Sequence, residues 1–115
     1  MEIKIIKSPI SKERLKEIAK NQFGDLVKAV VDVEKEIMAI GGELHADEEV
    51  LLMEQENSKR ENTWGINLYL EKGEDEWIEF DSMINIKPSY ENRSRSVENS
   101  EIQEKIKSIV KKLVY

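Results

Sequence analysis

The chain reads as an α+β protein: an antiparallel β-sheet of hairpins or a meander, with an N-terminal helix and a C-terminal helix packed against it. Two observations predict this. Apolar residues recur at helical spacing beside capping signals near each end, while alternating and β-branched runs fill the middle. A third bounds the size: 115 residues, 39% of them apolar and grouped in periodic segments, suit one domain spanning residues 1–115.

Glu2 to Lys7 predicts a short strand with Ile3 and Ile5 on one face, ended by Ser8-Pro9. Ser11 suits a helix N-cap, and Ile10 with Leu15 fits a hydrophobic staple. Leu15, Ile18, Ala19 and Phe23 form the stripe of that helix, and Gly24 stops it. Residues 26–40 carry two patterns. Leu26, Val30, Val33, Ile37 and Ile40 fit one amphipathic helix, but the β-branched content favours two strands, about 26–34 and 37–45, with a turn at Lys35-Glu36. Val50 to Met53 fits either a strand or a helix, and Asn57 to Asn62 reads as a loop.

Trp64, Ile66, Leu68 and Leu70 predict one face of a strand; Ile78, Phe80, Ile84 and Ile86 predict its partner, joined by a hairpin loop at Lys72-Gly73-Glu74. Matching apolar faces pairs Leu68 with Ile78, Ile66 with Phe80 and Trp64 with Ser82. On the other face Tyr69 opposes Trp77, Asn67 opposes Glu79, and Gly65 opposes Asp81. Pro88 ends the strand, and residues 89–98 form a polar connection. Ser100 with Gln103 predicts a capping box for a last helix, whose stripe is Ile102, Ile106, Ile109, Val110 and Leu113. The helices are expected to cover one face of the sheet.

Composition excludes several functions. The 24 acidic residues outnumber 18 basic ones, for a net charge of −6, so binding nucleic acid through broad phosphate neutralisation is not expected. The absence of cysteine removes disulfides, thiolate zinc sites and cysteine nucleophiles. No apolar run approaches the ~20 residues a membrane helix needs, and no leader-like segment opens the chain, so a soluble cytoplasmic protein is expected. Lysine outnumbers arginine 14 to 4, as heat adaptation or an AT-rich genome would give.

Three segments could carry chemistry. His45, the one histidine, stands among carboxylates beside Asp47; such a set can bind a cation or share acid and base roles, although a solvated surface is the simpler reading. Glu79 and Asp81 project from one strand face at a spacing of about 6–7 Å. Asn92-Arg93-Ser94-Arg95 holds two of the four arginines among small polar residues before a helix, a pattern suited to an anion. The competing structural reading docks Arg93 or Arg95 on Asp81. Tyr69 and Trp77 on the outer sheet face are candidate interface anchors. No metal site, cofactor motif or catalytic signature is expected from the spacing.

The blocks Gly41-Gly42-Glu43-Leu44-His45-Ala46-Asp47-Glu48, Trp64 to Tyr69, Ile78 to Pro88 and Asn92 to Arg95 together resemble a family of small, stand-alone prokaryotic proteins known only as a domain of unknown function. The resemblance covers nearly the full length and implies no activity, cofactor or catalytic residue. It implies a glycine before Ser58, where this chain has Asn57, and an arginine where it has Lys87.

The first functional expectation is a non-enzymatic binding or protein-interaction domain, either a homodimer or the binder of an unidentified protein partner. The second is a small metal- or anion-dependent hydrolase-like enzyme using His45, Asp47, Asp81 and Arg93/Arg95, which requires these residues to converge. The third is an antitoxin-like regulatory protein whose acidic surface meets a basic partner.

Overall fold

A computed structural model describes residues 2–115. In chain order the elements are β1 (Lys4–Ile6), α1 (Lys12–Lys20), β2 (Leu26–Asp32), β3 (Ile37–Ile40), α2 (His45–Glu56), β4 (Thr63–Tyr69), β5 (Ile78–Glu79) and α3 (Ser100–Leu113). The strands form one antiparallel sheet in the order β1-β3-β2-β4-β5, so the class is α+β.

The segment 26–40 resolves into two strands. Asp32 is buried and its Oδ1 accepts from the Glu34 and Lys35 amides, at 2.9 and 3.0 Å, while Glu36 turns the chain through a left-handed conformation. A side chain that accepts from the amides just after it favours a turn over a continuing helix. β3 ends at Ile40 rather than at residue 45, because the Gly42 amide turns to Glu48 instead of to a strand neighbour.

Alternation sorts the sheet into two faces. Val27, Ala29, Val31, Met38, Ile40, Trp64, Ile66 and Leu68 meet Leu15 and Ala19 of α1 and Ile106, Ile109, Val110 and Leu113 of α3 in the main core. A short parallel bridge between Ile10 and Val114 ties the start of α1 to the end of α3. The opposite face is not open, contrary to the one-face expectation: α2 lies across it, and Val30, Ile37, Ala39, Leu52 and Ile84 form a second, smaller core. Ser11 caps α1 as expected, its Oγ accepting from Arg14 N at 3.1 Å. The cap of α3 is Asn99, not Ser100; its Oδ1 accepts from the Glu101 and Ile102 amides, and Gln103 donates to the Val97 carbonyl. Phe23 is exposed rather than part of the α1 stripe.

The strand predicted over residues 78–86 is two residues long. Asn67 opposes Glu79 and Leu68 opposes Ile78, as the face matching requires, but the pairing then stops. Beside Gly65 the partner is a side chain. Gly65 N donates to Asn85 Oδ1 at 2.8 Å, and Asn85 Nδ2 donates to Gly65 O at 3.0 Å and to Arg95 O at 2.9 Å. The carboxamide thus replaces a strand residue, and residues 83–85 form a turn of 3₁₀ helix capped by Ser82. A Cβ on Gly65 would stand 2.5 Å from Ser82 Cβ, so this approach needs glycine. Trp77 is corrected too. With so short a strand it leaves the outer face, buries its indole in the main core and takes Lys12 Nζ 4.7 Å from its ring centroid.

Asn57 stands in the left-handed conformation at the end of α2, which explains how it serves where glycine is expected. Ser58 next to it is buried and donates to Asp32 Oδ2 at 2.6 Å. Lys87 is buried, donates to the carbonyls of Arg60 and Thr63, and places its ammonium 4.0 Å from the Trp64 ring centroid. Burial and the nearby Arg60 charge bring its pKa down to about 8, against a partial counter-effect from Glu49.

Two outcomes are expected. Gly65→Ala should lower the urea midpoint by the equivalent of about 2–3 kcal/mol without changing the slope, because Ser82 has no room to yield. Between about pH 8 and the ordinary lysine value of 10.5, the folded chain has released the Lys87 proton while the unfolded chain keeps it. Lys87 therefore adds stability as pH rises through that window, and the parent should gain up to about 3 kcal/mol relative to Lys87→Met in chemical denaturation series.

Candidate functional site

Past Glu79 the chain peels away from β4, leaving a cleft of about 220 Å³ between the first turn of α2 and residues 81–84. The sheet supplies its floor, since Lys28 of β2 stands opposite Asn67 of β4 in the ladder. Asn67 Nδ2 donates to Glu79 Oε1 at 2.8 Å and to the Asp81 carbonyl at 3.2 Å. Its Oδ1 is buried and has no hydrogen-bond partner.

His45 enters from α2. Its Nε2 lies 2.8 Å from the Ile66 carbonyl, which only accepts, so Nε2 carries the proton and Nδ1 is left as an acceptor. Burial lowers the imidazole pKa, and the Lys28 charge adds to that; the Ile66 carbonyl, Asn67 and Asp81 pull it partly back. The ring is therefore neutral at pH 7. Arg95 reaches in from the far side, its Nε donating to Asp81 Oδ1 at 2.6 Å. Both groups are about half exposed, so solvent screens this ion pair and it adds little to stability.

His45, Asp81 and Arg95 thus share one cleft, while Asp47 and Arg93 do not line it. Glu79 lies beside it, engaged with Asn67 and, at 3.4 Å, with the Tyr69 hydroxyl. Ser82 Oγ accepts from the Ile84 amide and Asp81 from Arg95, and among the described residues no hydroxyl is hydrogen-bonded to the imidazole. Among the described residues, no three His, Asp or Glu side chains converge to hold a metal.

The anion pattern at residues 92–96 is filled by the chain itself. The Arg93 and Ser94 amides donate to Glu98 Oε2 at 3.0 and 2.8 Å; the Ser94 side chain first, and then these amides, hold the Glu98 carboxyl below its ordinary value. Asn92 is buried and organises the loop, donating to the carbonyls of Asn85, Ser94 and Ser96. Tyr69 remains half-buried at the end of β4, under Lys72.

Sequence reasoning did not single out α2 itself. Its buried residues are His45, Glu48, Glu49 and Leu52, three of them ionisable. Glu49 accepts from Thr63 Oγ1 at 2.6 Å and from Arg60 at 3.0 Å. Glu48 accepts from Gly42 N at 2.9 Å, its Oε1 has no partner, and burial raises its pKa well above the ordinary carboxylate value. The apolar residues face outward: Val50 and Met53 on the helix, with Leu44 and Met83 at the cleft mouth, are 50%, 41%, 57% and 64% exposed. The segment from Glu43 to Glu56 carries the signal: six acids, no lysine or arginine, and four adjacent apolar residues within it.

The family model described as "Protein of unknown function (DUF5674)" matches residues 4–113, and the chain belongs to that family. No curated protein and no solved structure matches it. Among the described residues, no helix is long and apolar enough to cross a membrane.

The single histidine provides a direct readout. Its ring should titrate below the ordinary 6.5 in an NMR series, with Nε2 protonated at neutral pH. Since the unfolded chain takes up a proton that the folded chain refuses, the His45 contribution to stability is full above pH 6.5 and falls as pH drops below it. A midpoint above 6.5 would show that the imidazole is not buried as described.

Proposed function

We propose that this chain is a non-enzymatic protein-interaction domain whose recognition surface is the outer face of α2 with the adjoining cleft mouth. The observation that carries the reading is the inversion of α2. Ala46, Val50 and Met53 recur at helical spacing on its exposed side while two of its carboxylates, Glu48 and Glu49, are buried. Leu44 and Met83 extend that apolar stripe across the mouth of the cleft. An exposed apolar strip rimmed by polar residues is the usual mark of an interaction surface.

Charge identifies the kind of partner. Between Glu43 and Glu56 there are six acids and no lysine or arginine, and the exposed members Glu43, Asp47 and Glu54 flank the stripe. Two copies docked through this face would bring like charges together. A partner segment with an apolar centre and basic flanks meets both features, so a basic protein is favoured over a homodimer. The hydrolase-like alternative draws on the meeting of His45, Asp81 and Arg95, but it takes second place because Asp47 and Arg93 lie outside the cleft.

A synthetic amphipathic helix of leucine and lysine tests the reading against its leucine–glutamate counterpart. The lysine peptide should bind, weaken as salt rises, and lose affinity at least ~10-fold against Val50→Ser/Met53→Ser, which leaves every charge in place. Equal binding to parent and variant would overturn the surface. A dimer in sedimentation that the same variant dissolves would overturn the choice of partner.

A further inference from the structure

A second cavity lies on the other side of the sheet. The loop between β4 and β5, the start of α1 and the C-terminal half of α3 enclose a groove of about 460 Å³, within the size range of small-molecule sites. Its floor is apolar, made by Trp77, Ile78 and Val114. Lys107 and Lys111, one helical turn apart on α3, form one wall, with Lys12 over the Trp77 ring beside them. Glu74 and Asp75 line it from the loop.

The two sets of charges do not neutralise each other. None of the three ammonium groups comes within 4.0 Å of the Glu74 or Asp75 carboxylates. Lys107 pairs only with Glu104 of its own helix, at 3.2 Å and well exposed, which is a weak interaction. Opposite charges therefore line one groove unpaired, beside the partly exposed edge of Trp77. We propose that this groove binds a zwitterionic amino acid with a large apolar side chain. Its carboxylate meets Lys107 and Lys111, its ammonium meets Glu74 and Asp75, and its side chain lies on Trp77 and Ile78. A purely anionic ligand would face the two carboxylates, and a purely cationic one the lysines; the zwitterion satisfies both sets of charges. The site shares no residue with the α2 surface, so it stands or falls independently of the proposed interaction.

Phenylalanine is the probe, compared with 3-phenylpropionate, which lacks the ammonium, and phenethylamine, which lacks the carboxylate. Binding is read from the two tryptophan indole N–H resonances of the isotope-labelled full chain, assigned with Trp77→Phe. Phenylalanine should move the Trp77 signal saturably and leave Trp64 unmoved, with both analogues at least ~10-fold weaker. Lys107→Gln/Lys111→Gln, two exposed changes, should abolish the preference for phenylalanine over phenethylamine, and Glu74→Gln/Asp75→Asn the preference over 3-phenylpropionate. No movement of the Trp77 signal up to about 10 mM phenylalanine would overturn the proposal. Equal binding of all three probes, or a preference that survives both double variants, would overturn it as well.

Discussion

The contact on which the structure turns is the pair of hydrogen bonds between the Gly65 backbone and the Asn85 carboxamide. A strand edge has to satisfy its amides, and here a side chain does so at the point where a strand would otherwise continue. Because one carboxamide replaces a strand residue, the chain after Glu79 is free to leave the sheet. It rises over the α2 face, and the gap it leaves is the cleft. The same amide nitrogen also binds the Arg95 carbonyl, and Ser82 N donates to that carbonyl at 3.0 Å. Arg95 is therefore held in place by its backbone, and its side-chain contact with Asp81 follows from this anchor. The weak, half-exposed ion pair is a consequence of the architecture, not its cause.

The sheet and the terminal helices were legible because their signals are periodic and redundant. Ile106, Ile109, Val110 and Leu113 on one stripe, and Trp64, Ile66 and Leu68 on one strand face, leave few alternatives. The matching of Leu68 with Ile78 was legible for the same reason, since a slip by one residue would invert both faces. What followed was not. Ile84 and Ile86 alternate as a strand should, and only the capacity of Asn85 to bond both sides of a glycine ends the ladder. Local alternation carries no information about a side chain that competes with the backbone. Trp77 misled for a related reason: its face was inferred by extending a strand that begins one residue later.

The candidate site was legible in part. The docking of an arginine on Asp81 followed from sign and proximity in sequence, and Arg95 takes that role. The apparent anion site at Asn92 to Ser96 was misleading in its occupant. Backbone amides gathered by the buried Asn92 do hold a carboxylate, but it belongs to Glu98. Sequence exposes donors and acceptors without saying which of them are spent on each other.

The illegibility of α2 is itself physical evidence. A helix normally buries its apolar stripe, and pattern reading presumes this. In α2 the presumption fails, because its inward side is held by polar contacts: Glu49 to Arg60 and Thr63, Glu48 to the Gly42 amide, His45 to the Ile66 carbonyl. Buried carboxylates are costly unless each is paired or protonated, and here Glu49 is paired while burial shifts Glu48 towards its neutral form. A helix stabilised in this way does not need Val50 and Met53 for its own docking. Leu52 alone packs fully inward, leaving Val50 and Met53 outside. Stability of the isolated fold would be served by polar residues at those two positions, since their side chains contribute no core. Their apolar character is therefore unexplained by the monomer and fits a helix whose outward face is covered in use.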